Sequence, residues 1–301
     1  MTHLPAHWIL GPGALGRLVG LRLAEQATVT LIGRRSLPVE QTLITPDGAS
    51  RSRRVAVARL DALPGDTPGV IHLTTKAYAA EAAYEAIALR LPADTPLVLW
   101  QNGFDCQPRL AARHPGPVLC ATTTEGAYVQ SDAQVVHAGH GETLVGTLDG
   151  RHAELAGTLA DTLSAAGLKA FAVTDIRHRL WQKLAVNAAI NPLVARFRIR
   201  NGQLRDRPFR PLVEAVIDEV AAIMAAEGIP APEEGWHARV WKVVAGTAGN
   251  RASMLQDVLA DRPTEREAIL GPLRDAARRH GLTATRLAEL DDWLAADPWL
   301  H

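Results

Sequence analysis

Three polar side chains, Lys183, Asn187 and Asn191, stand at i, i+4 and i+8 within the apolar run W-Q-K-L-A-V-N-A-A-I-N-P at residues 181–192. On an α-helix that spacing places all three on one face. Leu184, Ala185, Val186, Ala188, Ala189 and Ile190 fill the remaining positions, so the polar stripe belongs to a helix that is otherwise buried. A buried amide or amine without a partner costs on the order of 1–3 kcal/mol or more. A solvent-facing stripe would favour Glu, Lys and Arg, and asparagine is a poor interior helix residue. The aligned set therefore points to a polar cleft. Pro192 disfavours helix at Asn191, so the helix is expected to end or kink there.

The second group is a loop. Gly11, Pro12, Gly13, Ala14, Leu15 and Gly16 form a G-x-G-x-x-G sequence between a β-like run at 7–10 and a helical stretch at 14–23. The first glycine permits a tight turn, the second leaves room for a pyrophosphate, and the third lets the helix lie close to the sheet. Phosphates would then meet unpaired N–H groups and the positive end of the helix dipole. The next strand, at 28–32, decides which dinucleotide is held. A site for NAD would carry an acid there to accept hydrogen bonds from the ribose 2′-OH. The sequence instead continues Gly33, Arg34, Arg35, with no acid. Arginine can clamp a 2′-phosphate through paired donors, so NADP(H) is the expected cofactor and Arg34 its first contact. Two further spots follow strands: Lys76 in T-K-A at 75–77 and Asn102 in Q-N-G at 101–103. Both lie where open α/β sheets bind ligands, although each alone reads as an ordinary turn. S-M-L-Q-D at 253–257 and Thr264-Glu265 flank a short helix and the start of a long one.

The elements that must position these groups change character along the chain. Strands fit residues 70–74, 97–100 and 118–122, alternating with helical patterns at 80–89 and 107–112. This alternation favours a parallel sheet covered on both faces. Asp47-Gly48 reads as a hairpin turn between strands at 42–45 and 54–57. Segments at 128–130, 135–137 and 143–145 suggest antiparallel strands at the sheet's edge, before a helix at 153–165. Strand signals stop near residue 174. Helical periodicity follows at 175–190, 209–227, 233–244, 253–259, 264–280 and 284–295, with Gly228 and Gly281 as helix stops. The fold class is α/β: an N-terminal Rossmann-type doubly wound sheet over residues 1–174, then an all-helical domain over 175–301.

Composition narrows the partners. The 301 residues carry 32 basic and 32 acidic side chains, a formal charge of zero. Balance on that scale argues against a nucleic-acid footprint, although a local basic patch stays open. No run approaches the length of a membrane span, and the N-terminus lacks a signal-peptide pattern. Cys106 and Cys120 share no metal-ligand spacing, so no metal is expected and reduced thiols in a cytoplasmic protein are the simpler reading. Oligomeric state is not readable from the pattern, and a homodimer stays open.

Taken together, these motifs resemble the ketopantoate reductase (2-dehydropantoate 2-reductase) family over essentially the whole chain. The resemblance rests on G-x-G-A-L-G at 11–16, T-K-A at 75–77, Q-N-G at 101–103 and T-T-T at 122–124. It rests further on W-x-K-L-A-V-N-x-x-I-N-P-L at 181–193, N-G-x-L at 201–204, and S-M-L-Q-D followed by Thr264-Glu265. It implies NADPH-dependent reduction of a small 2-oxo acid, 2-dehydropantoate, to pantoate. Lys183 would be the general acid at the C2 oxygen, with Glu265 hydrogen-bonding near the reacting group and the cofactor. Asn187, Asn191, Asn201 and Ser253 would hold the substrate, and Lys76 and Asn102 would sit between cofactor and substrate. Ala127 would touch the cofactor through its backbone, beside the loop residues Gly11, Gly13, Ala14, Leu15 and Gly16. Two other readings stay open: a member reducing another branched 2-oxo acid, and a non-catalytic NADPH-binding sensor.

Overall fold

Runs such as H-W-I-L and V-I-H-L have no alternation of polar and apolar residues, the mark of parallel strands covered on both faces. In the computed structural model, which describes residues 6–296, these runs are β1 (His7–Leu10) and β6 (Val70–Leu73), buried along their whole length. They form the centre of an eight-stranded sheet. Its other strands are β2 (Val29–Gly33), β5 (Ala56–Arg59), β7 (Leu97–Leu99), β8 (Val118–Thr123), β11 (Thr143–Gly146) and β12 (Ala170–Ala172). The order is β12-β11-β8-β7-β6-β1-β2-β5, parallel throughout except where β11 runs against β8. Four helices accompany this sheet in the chain: α1 (Ala14–Leu23), α2 (Ala77–Ala88), α3 (Cys106–Arg113) and α4 (Ala153–Ala165).

A second sheet departs from the sequence reading. The hairpin strands β3 (Glu40–Ile44) and β4 (Ser50–Arg54) join β9 (Gly126–Ser131) and β10 (Gln134–Gly139) in the order β4-β3-β10-β9. The strands expected around 128–130 and 135–137 at the main sheet's edge thus belong to a separate sheet, and only β11 extends the main one. Local alternation is the same in either place, so pairing across about 90 residues is invisible in sequence. Arg17 of α1 helps hold this sheet, donating through Nη1 to the Ser131 and Asp132 carbonyls at 2.9 Å each. The main sheet also continues one strand further than expected, because β12 pairs in parallel with β11.

The central strands bury two histidines in a fixed hydrogen-bond chain. Trp100 Nε1 donates to His72 Nδ1 at 3.1 Å, so the His72 proton lies on Nε2 and points to His7 Nδ1 at 3.0 Å. Burial holds His7 down to about 4 and His72 well below the usual imidazole range. Both rings are neutral at pH 7.

The second compact unit comprises the chain from His178 onward together with the short segment Asn102–Asp105; the first comprises the rest, through Arg177. A single cut at residue 174 does not include that four-residue segment. Helix α5 (Ile176–Phe197) leads into the second unit, followed by a 3-10 helix (Asn201–Arg205), α6 (Arg210–Ala226), α7 (Gly235–Gly246), α8 (Ser253–Leu259), α9 (Arg266–Arg279) and α10 (Thr285–Ala295). Of the end or kink expected at Asn191, the end does not occur: α5 continues through Pro192. An interior proline costs about 3 kcal/mol. Burial of Leu193 and Val194 in the unit's core, worth roughly 1.5–3 kcal/mol each, offsets that cost.

Helices α6 and α9 stop as expected. Gly228 and Gly281 adopt φ of 68° and 65°, and the following residues reach back to Met224 and Ala277 carbonyls, both at 2.9 Å. This is the Schellman closure, in which glycine meets the left-handed position without a Cβ penalty. Helix α5 ends in the same hydrogen bonds, but its left-handed residue is Arg198 (φ 53°). Among the described residues no helix is long and apolar enough to cross a membrane.

Candidate functional site

In the first unit a ligand cradle is made mostly of backbone. Gly11 has φ of 98°, and a Cβ there would lie 2.6 Å from the Thr75 backbone nitrogen. Gly16 is equally confined, since a Cβ would come within 2.5 Å of the Gly11 carbonyl and of Thr74 Oγ1. That threonine hydroxyl donates to the Gly11 carbonyl at 2.8 Å and ties the loop to the end of β6. At Gly13, by contrast, the nearest atom to such a Cβ is 4.0 Å away, so space stays open over the first turn of α1. The N–H groups of a helix's first turn have no partners within the helix. Open space above them is what a pyrophosphate requires. Close approach of α1 to the sheet is shared with a glycine that the motif does not contain: a Cβ on Gly20 would meet Leu31 Cδ2 at 2.9 Å.

The end of β2 borders the same loop, because Gly33 packs against the ring of Pro12. The two arginines beyond it differ. Arg35 is held by both carboxylate oxygens of Asp132, with Nη2 2.6 Å from Oδ1, and the pair raises the arginine's pKa. Arg34 is exposed and has no ion pair among the described residues. Lys76 precedes α2 as its cap residue, on the loop whose Thr75 abuts Gly11. Ala127 lies on β9 opposite His137.

Sequence reasoning missed two polar networks in this unit. Gln101 Nε2 donates to the Leu73 and Thr75 carbonyls at 2.8 and 3.2 Å. It thereby fixes the loop leading to Lys76 from the residue just before Asn102. Next to Ala127, His137 Nε2 meets Glu125 Oε2 at 2.6 Å, while Arg22 Nη2 lies 3.1 Å from His137 Nδ1. With His140, this glutamate and histidine are spaced as metal ligands are. The arginine argues for another role. It can only donate, so it fixes the His137 proton on Nε2, where a metal would have to bind. The cluster is an Arg–His–Glu chain that joins α1 to the turn before β9.

In the second unit the groups are side chains brought together from distant segments. Uninterrupted α5 keeps Lys183, Asn187 and Asn191 on one face, and Asn191 is buried. Lys183 and Glu265 interact electrostatically; burial lowers the lysine to about 8, and the glutamate opposes that shift. Glu265 is buried at the N-terminus of α9 and accepts from Asn102 Nδ2 at 3.2 Å. Gly103 (φ 84°) makes this approach feasible, since a Cβ there would come within 2.1 Å of the Ala268 carbonyl. The Asn-Gly pair therefore does more than turn the chain; it seats Asn102 on the first turn of α9.

Asn201 opens the 3-10 helix. Its backbone N–H donates to the Asn250 carbonyl at 3.0 Å, and Nδ2 donates to Thr247 Oγ1 at 2.9 Å. Its Oδ1 is buried with no hydrogen-bond partner among the described residues. The segment that anchors Asn201 leads directly to Ser253, exposed at the start of α8. These contacts join Lys183, Glu265 and Asn102 in one group, and Asn201 with the approach to Ser253 in another.

Comparison with known proteins agrees on one family. The descriptions "Ketopantoate reductase PanE/ApbA" and "Ketopantoate reductase PanE/ApbA C terminal" match residues 8–150 and 175–296. A 2-dehydropantoate 2-reductase of Vibrio cholerae is 35 % identical over 275 residues, covering 91 % of each chain. The crystal structure of 2-dehydropantoate 2-reductase from Methylococcus capsulatus superposes with a TM-score of 0.84 at 25 % identity, covering 98 % of this chain and 100 % of that one. A D-mandelate dehydrogenase solved with NADH and anilino(oxo)acetate shares the fold, with a TM-score of 0.84 at 22 % identity over 97 % of each chain.

Proposed function

Because this chain belongs to the ketopantoate reductase (PanE/ApbA) family, we propose that it reduces 2-dehydropantoate to pantoate with NADPH. The observation that carries the reading is a half-buried lysine beside a buried carboxylate: Lys183 lowered to about 8 next to Glu265. Hydride addition to a ketone builds negative charge on oxygen, which a cation within hydrogen-bond reach stabilises and can protonate. At neutral pH a lysine titrating near 8 is still mostly protonated, yet it gives up its proton far more readily than one near 10.5.

When bound, the dihydronicotinamide supplies the hydride. The chain's own residues do the rest. Ala14, Leu15 and Gly16 would present the first-turn backbone N–H groups of α1 to the pyrophosphate, with Gly11 and Gly13 shaping the turn and leaving room for it, and Arg34 would meet the 2′-phosphate, since Arg35 is occupied by Asp132. Lys76 and Ala127 complete the cofactor's surroundings. Lys183 donates the proton to the C2 oxygen. Glu265 fixes the ammonium's direction and is itself held by Asn102. Asn187, Asn191, Asn201 and Ser253 hold the carboxylate and hydroxyl of the substrate. Buried free thiols at Cys106 and Cys120 fit a cytoplasmic enzyme.

The test is NADPH oxidation with a panel of 2-oxo acids. Ketopantoate should give the highest kcat/KM, well above 2-oxoisovalerate, which lacks the terminal hydroxyl. Equal values would make the chain a general branched 2-oxo acid reductase, and turnover of none would leave an NADPH-binding protein without this activity.

A further inference from the structure

The connection from α5 to α6 is the most lopsided stretch of charge in the chain. Between residues 196 and 210 stand Arg196, Arg198, Arg200, Arg205, Arg207 and Arg210 against one acid, Asp206, in a protein of zero formal charge. All six arginines are exposed. The segment is folded into one patch, because the Phe197 and Phe209 rings meet at 5.0 Å and bring its two ends together. Arg210 lies 5.3 Å over the Trp241 ring and is the only one of the six paired with an acid among the described residues, Glu214 at 2.8 Å. Arg200 and Arg205 bond to backbone carbonyls of Gly249 and Gly202, which leaves their charge uncompensated. The same segment carries Asn201, whose Oδ1 is a buried acceptor without a partner among the described residues.

The closure of α5 adds an independent observation. Four helices of this unit end in the same hydrogen-bonded motif, α6 and α9 with glycine at the left-handed position, α8 with Asp261 and α5 with Arg198. A non-glycine residue there costs roughly 1–2 kcal/mol, so the guanidinium is held at this corner against a local backbone preference.

We propose that this arginine patch draws the anionic 2-oxo acid electrostatically towards Asn201 and raises its local concentration at the substrate side of the site. The proposal rests on the reductase reading above. Clustered charge of one sign raises the local concentration and arrival rate of an oppositely charged ligand by about 10–10³-fold, an effect that salt removes. The screening length falls from about 30 Å at 0.01 M to about 3 Å at 1 M ionic strength. The patch therefore acts on KM and not on the chemical step.

The experiment measures kcat/KM for ketopantoate at saturating NADPH across 10–500 mM NaCl, in the wild type, in Arg198→Gly, and in the triple variant Arg196→Gln/Arg198→Gly/Arg207→Gln. Wild-type kcat/KM should fall about tenfold with salt through KM, while the triple variant starts three- to tenfold lower and is nearly flat. Arg198→Gly should melt at the same or a higher temperature than wild type, since it relieves the left-handed residue, and yet show the smaller salt slope. A purely structural role predicts the opposite pairing: lower Tm with an unchanged slope. Equal slopes in wild type and triple variant overturn the proposal while leaving the reductase reading intact. No turnover of any 2-oxo acid by the wild type overturns both.

Discussion

The two units make their sites from opposite materials. In the first, the cradle at Gly11, Gly13 and Gly16 is backbone and space, and its residues are neighbours in sequence. In the second, Lys183, Glu265 and Asn102 are side chains delivered by α5, by the start of α9 and by a four-residue segment 163 positions from the glutamate it bonds. A site built on backbone tolerates no added atom but is indifferent to most side-chain chemistry. A site built on side chains depends on the charge of each group and on the core that aims it. Substitutions in the two units should therefore fail in different ways, and that separation can be tested.

The largest effect is expected at Lys183. Lys183→Ala should retain NADPH binding, followed by cofactor fluorescence, while kcat falls by about 10²–10⁴-fold, the usual worth of general acid catalysis. The same group should set an alkaline limb. With the amine titrating near 8, kcat declines above that pH as the proton is lost, and Lys183→Arg moves the limb out of reach. A kcat unchanged in Lys183→Ala would break the contrast outright, because the second unit would then hold no acid.

Gly11→Ala tests the other side. Its Cβ would strike the Thr75 backbone at 2.6 Å in a left-handed conformation, at a cost on the order of 1–3 kcal/mol. NADPH affinity should fall about 10–100-fold, read as a Kd by titration. KM for the 2-oxo acid should shift far less. A variant that lost both affinities equally would show that the two sites are not separable.

The smallest effect concerns stability and sharpens the contrast in how each unit buries a titratable group. His7 is neutral and held near 4, against about 6.5 when unfolded. Between those values the unfolded chain binds the proton and the folded chain does not. Stability is therefore complete above pH 6.5 and falls as pH drops to 4, by about 3 kcal/mol in total. Urea unfolding of wild type against His7→Leu at pH 7 and pH 4.5 should show the acid loss shrink in the variant. An identical loss in both would exclude His7 as its source.

Much of the fold was legible because its signals are local. Short runs without polar–apolar alternation marked β1, β6 and β7, and glycines at 228 and 281 marked helix ends by a backbone requirement. Pairings that span long separations were not legible. The strands β9 and β10 carry the same alternation whether they extend the main sheet or join β3 and β4. Pro192 looked like a stop because the sequence displays the lost hydrogen bond but not the core that offsets it.

The opening triad of Lys183, Asn187 and Asn191 shows where the division lies. Their common face follows from the 3.6-residue repeat alone, and so does the phosphate loop from its glycines; sequence spacing suffices when the geometry is periodic or contiguous. Tertiary structure decided the rest. It brought Glu265 and Asn102 to the lysine, gave Arg35 to Asp132 and left Arg34 exposed, and brought together the two ends of the arginine-rich segment that carries Asn201. Those relations depend on which segments the core packs together, and packing is a property of the whole chain at once.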